Sequence, residues 1–118
     1  MRELHARQIQ GELPRRRFSD DYFDLYIFGE GGEIEGFQLC YDCLGDEHAF
    51  TWMPGSGPQH QRVEDPELEA GRLAIAPILA PGKTFPIHHV LERFRTASDD
   101  LPEVVRDLVL RVLEEHLD

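Results

Sequence analysis

The sequence predicts an α+β fold: an antiparallel β-meander of four to five strands, then two C-terminal helices packed on one of its faces. Three observations predict it. Apolar residues alternate with period two between Tyr22 and Met53, the spacing of half-buried strands. Glycine- and proline-rich turns interrupt that alternation at short intervals. Near Thr84 the apolar period changes to 3.6, and strands followed by helices is the α+β order.

The elements follow in chain order. Residues 1–14 read as an N-terminal arm, either frayed or an edge strand, with Leu4, Ile9 and Leu13 among polar neighbours and Gly11 and Pro14 interrupting. The sheet is expected over residues 17–80. Tyr22 to Phe28 is a strand with Phe23, Leu25 and Ile27 on one side and Asp24, Tyr26 and Phe28 on the other. Gly29-Glu30-Gly31-Gly32 supplies the hairpin turn, and Glu33 to Asp42 returns. His48 to Met53 is the next strand, with Phe50 and Trp52 sharing a face. Gln59 to Glu64 makes a more polar strand, and Arg72 to Leu79 a fifth, placed at an edge or bulge by Pro77.

Helices are expected over residues 84–117. Ile87, Val90, Leu91 and Phe94 fall at i, i+3, i+4, i+7, with Thr84 as N-cap and Pro86 in the first turn. Ser98-Asp99-Asp100 ends that helix. Leu101, Val104, Val105, Leu108 and Val112 form the apolar stripe of the second, widened by Val109 and Leu113, with Glu103 beside the positive end of its dipole.

Composition narrows the function classes. With 118 residues and 41% hydrophobic content, the chain has the size of a single domain and enough apolar side chain to build a core. A net charge of -11 repels phosphate backbones and anionic headgroups, so neither nucleic acid nor membrane is an expected partner. The exception in sign, Arg15-Arg16-Arg17, is expected to pair with Asp20, Asp21 and Asp24. No apolar leader stands at the N-terminus, and the nearly apolar run from Leu73 to Pro81 is about half a membrane span. Two cysteines make no disulfide framework, so the expected location is cytoplasmic.

Few residues carry a chemical signature. Cys40-Tyr41-Asp42-Cys43, with His48 nearby, offers a metal-ligand set of Cys40, Cys43 and His48, but no second cysteine pair exists, so His48, His60 or the His88-His89 pair would have to complete a zinc site. Residues 40 and 43 also point to opposite faces of a strand unless the chain has turned by Asp42. Adjacent His88 and His89 diverge on a helix by about 100°. Cys40, Asp42 and His48 are the catalytic candidates, within the acidic cluster of Asp42, Asp46 and Glu47; a solvated loop is the plainer reading. No phosphate-loop lysine follows the glycines, and neither Ser19 nor Ser56 sits in a nucleophile elbow. No cofactor or metal is expected.

Two classes remain. The favoured one is a non-catalytic interaction or self-associating domain. A homodimer would form through the sheet face opposite the helices, where Tyr26, Phe28 and Ile34 would be exposed with Cys40 and Ala49. The alternative is a small enzyme or ligand-binding protein with a pocket near Cys40, Asp42, His48 and Trp52.

Overall fold

A computed structural model describes residues 1–30, 32–63 and 85–116. Six strands form one antiparallel meander in sequence order: β1 (Arg2–Leu4), β2 (Arg15–Ser19), β3 (Phe23–Phe28), β4 (Gly36–Tyr41), β5 (His48–Trp52) and β6 (Gln59–Arg62). Helices α1 (Ile87–Ala97) and α2 (Glu103–Glu115) follow. The α+β class and meander order are as the sequence predicts. Among the described residues the strand count is six rather than four to five. The expected strand at Arg72–Leu79 and the N-cap at Thr84 lie outside the described residues.

The two additional strands come from the N-terminal segment. β2 is a run of three arginines, which no hydrophobic alternation marks, yet it pairs with β3 along its length, Arg15 opposite Phe28 and Ser19 opposite Asp24. β1 pairs in turn with β2, Glu3 opposite Phe18. Of the two readings of residues 1–14, the edge strand holds for Arg2–Leu4. Charge pairing compensates for the missing apolar pattern: Arg16 bonds Glu3 across β1–β2, both contacts at 2.8 Å.

The β3–β4 hairpin follows the predicted register, Leu25 opposite Leu39 and Ile27 opposite Phe37. Its return strand begins at Gly36 rather than Glu33, because the connection closes first through the Glu35 amide onto the Phe28 carbonyl at 2.7 Å. Two glycines permit the close approaches. A β-carbon on Gly29 would collide with the Glu33 carbonyl, and one on Gly36 with the Met53 thioether.

The core lies between the sheet and the helices. Phe23, Leu25, Ile27, Phe37, Leu39 and Phe50 meet Ile87, Val90, Leu91 and Phe94 of α1 and Val105, Val109, Val112 and Leu113 of α2. Each such side chain contributes roughly 1.5–3 kcal/mol on burial. α1 buries the four predicted positions; Pro86 stands just before its first residue, not within the first turn.

The opposite sheet face is also buried, which overturns the expected exposed patch. Phe28 is 0% and Tyr26 7% exposed. Two arginines of β2 lie against its β3 rings: the Arg15 guanidinium is 5.2 Å from the Phe28 ring centre and that of Arg17 5.6 Å from Tyr26. Cys40 and Ala49 pack with Val63 and Cys43. Ile34 is not on this face; it packs half-buried against the main core. Among the described residues no helix is long and apolar enough to cross a membrane.

Candidate functional site

The residues singled out by sequence do not converge. Cys40 is fully buried on the face away from the helices. His48, opposite Tyr41, lies on the helix-facing side. Trp52 stacks on Phe37, its ring centre 5.8 Å away. It stands four residues from His48, about 13 Å along the strand. Asp42 belongs to the β4–β5 turn, where its carboxylate accepts the Asp46 amide at 3.3 Å. No shared pocket follows from this placement.

The turn does bring the two cysteines together. Asp42 adopts the left-handed conformation, φ 55°, so the chain folds back and Cys43 packs against the cluster holding Cys40. Both thiols are free. Burial pushes the Cys40 thiol well above its ordinary range. Burial also pushes Cys43 upward, with the Glu47 carboxylate and the hydrogen bond to it adding to the effect. Burial raises Glu47 as well. A reactive cysteine needs a lowered pKa, and this environment does the reverse. His48 lies across the sheet from the pair, and among the described residues no three His, Cys, Asp or Glu side chains are grouped to hold a metal.

On the helix-facing side an aromatic and imidazole stack closes the end of the sheet. The His48 and His60 rings lie 5.2 Å apart and nearly parallel, and Tyr41 stacks on both. Phe85 covers His60 and Phe50. The Tyr41 hydroxyl and His60 Nε2 share a hydrogen bond. His48 Nδ1 lies 2.8 Å from the Asp46 carbonyl, which can only accept, so Nδ1 carries the proton. His48 Nε2 is buried without a hydrogen-bond partner among the described residues. Tyr41, His48 and His60 are all buried in this stack. The sequence marks His60 only as a possible completing ligand and Tyr41 only as a spacer between the two cysteines, because stacking across strands leaves no local pattern.

Each arginine of the Arg15–Arg17 run has a carboxylate partner, while Arg15 Nε is buried without a hydrogen bond among the described residues. Arg17 binds Asp24 in a fork, Arg16 binds Glu3, and Arg15 reaches Glu12 at 3.2 Å. Of the three aspartates expected as partners, only Asp24 serves; Asp20 instead caps its own turn through the Tyr22 and Phe23 amides.

One surface feature with apolar character is a groove of about 660 Å³ between the β3–β4 connection and α2. Gly32 and Ile34 form one wall; Glu103, Val104, Asp107, Leu108 and Arg111 form the other. Val104 is 63% exposed. The reason lies in helix geometry. At about 100° per residue, Val109, Val112 and Leu113 fall within about 80° of Val105, while Leu108 stands about 60° and Val104 about 100° to the other side. The predicted stripe is wider than one sheet face can cover, so its Val104 edge stays in water. No protein-family model, curated protein or solved structure matches this chain.

Proposed function

We infer that the chain is a non-catalytic interaction domain that binds a protein partner through the groove at Ile34, Val104 and Leu108. The observation that carries this reading is Val104, a large apolar side chain left 63% exposed beside two half-buried apolar neighbours in a concave surface. The enzyme alternative has less support. Its residues lie on different faces, its thiols are raised in pKa, and its histidines are packed into the stack. A nucleic-acid partner does not belong to the reading, since each of the three clustered arginines already has a carboxylate. Free thiols go with a reducing, cytoplasmic setting.

Self-association remains an alternative occupancy of the same groove. The route through Tyr26 and Phe28 loses its basis, because both are buried within one chain. The test is size exclusion of gently lysed cells that express the chain at its natural level. The wild type should elute in a complex and Val104→Glu as the lone chain, with thermal midpoints equal within about 2 °C for a surface substitution. Light scattering on purified protein identifies a homodimer if a second copy is the occupant. A wild type that elutes as the lone chain contradicts the reading.

A further inference from the structure

The charge around the groove indicates what fits it. Its apolar floor is Ile34, Val104 and Leu108, and its rim is acidic. Glu103 and Asp107 line it one helical turn apart, and exposed Glu33 and Glu35 flank Ile34 in the connection. None of these four carboxylates has an ion-pair partner among the described residues. Arg16, Arg17, Arg62, Arg95 and Arg106, by contrast, each have one. Among the described residues the one cation lining the groove, Arg111, is shared with Glu115 at 4.0 Å. In a chain of net charge -11, an apolar concavity with uncompensated carboxylates holds a negative potential that low-dielectric walls sharpen.

We propose that the groove docks a cationic amphipathic helix of a partner protein, its apolar stripe on Val104, Leu108 and Ile34 and its lysines or arginines against Glu103 and Asp107. This rests on the interaction reading above. A helix is the occupant because Val104 and Leu108 form an i, i+4 row along α2, the ridge into which another helix's i, i+4 side chains pack. A second copy of this chain fits worse. Two chains of charge -11 repel, and a two-fold contact would set Glu103 and Asp107 near their own counterparts.

The experiment is fluorescence anisotropy of labelled synthetic peptides against the full chain. Three peptides of equal length are used: leucine with lysine at helical amphipathic spacing, the same with glutamate for lysine, and the same with serine for leucine. The leucine–lysine peptide should bind at tens of micromolar or tighter, on the order of 6 kcal/mol. Glu103→Gln combined with Asp107→Lys should weaken it about tenfold, from the sum of a few rim charge contacts. Glu92→Gln combined with Glu114→Lys, the same charge change on exposed sites away from the groove, should leave it within about twofold. Equal binding of the leucine–glutamate peptide overturns the charge assignment. So does equal binding of the serine–lysine peptide, or equal loss in the remote variant, since both would mean general attraction to an acidic chain. No binding by any peptide up to about 1 mM also overturns it. In each case, loss of the cellular complex on Val104→Glu would still stand for the interaction reading, so the two failures are separable.

Discussion

Arg17 grips Asp24 with two parallel hydrogen bonds, Nε to Oδ1 at 2.8 Å and Nη2 to Oδ2 at 2.9 Å, diagonally across β2 and β3. Asp24 is buried, and among the described residues it also accepts the Tyr26 hydroxyl at 3.4 Å. Arg17→Ala would leave a buried carboxylate without its counter-charge, at a cost of about 2 kcal/mol. The equally well-aligned Arg16–Glu3 pair is half exposed, so Arg16→Ala should cost about 0.5 kcal/mol or less. Urea denaturation of both variants checks the difference. Equal losses would mean that burial does not set the value of these bridges.

Glu47 gives a pH signature. Burial raises its carboxyl above the unfolded value. A group so raised contributes stability below its unfolded pKa, near 4.3, and loses that contribution as pH rises through the folded value. At neutral pH the wild type therefore carries the cost of a buried charge. Glu47→Gln, which keeps an acceptor for the Cys43 thiol, should raise the urea midpoint at pH 7, and the gain should vanish near pH 4. A variant no more stable than wild type at pH 7 would contradict the account.

Thiol chemistry follows from the same cluster. With both thiols raised in pKa by burial, iodoacetamide at pH 7.5 should modify the native chain about tenfold or more slowly than the urea-unfolded chain. Cys43, half-buried, should react before fully buried Cys40. Mass spectrometry of timed samples reads both. Fast native alkylation would reopen the enzymatic alternative.

Phe28 and Val104 exchange the roles their positions suggest. Phe28, fully buried under Arg15, should cost about 3 kcal/mol as Phe28→Ala. Val104→Ser should stay within about 0.5 kcal/mol. Thermal denaturation monitored by circular dichroism compares them. The opposite ranking would place the apolar surface back on the sheet.

The legible parts were those with a strong period. Phe23, Leu25 and Ile27 against Phe37 and Leu39 mark the central hairpin, and Ile87 to Phe94 marks α1, because core contact imposes the pattern directly. β2 was hidden because three of its five residues are arginines, two of whose guanidinium groups lie by the Phe28 and Tyr26 rings. The burial of those two rings also removed the expected interface. The groove was half legible, since Val104 and Leu108 stand in the predicted stripe. Which edge of a wide stripe stays wet depends on where α2 sits on the sheet, a tertiary fact that periodicity does not contain.

The central claim is that the groove at Val104 is the contact surface. A photoreactive benzophenone side chain at position 104 tests it most directly, irradiated in cells that express the chain at its natural level. Glu114, exposed on the same helix and outside the groove, carries the probe in a control. The account predicts a discrete protein adduct from position 104 that position 114 does not form. No adduct from position 104, or the same adduct in equal yield from position 114, would contradict it.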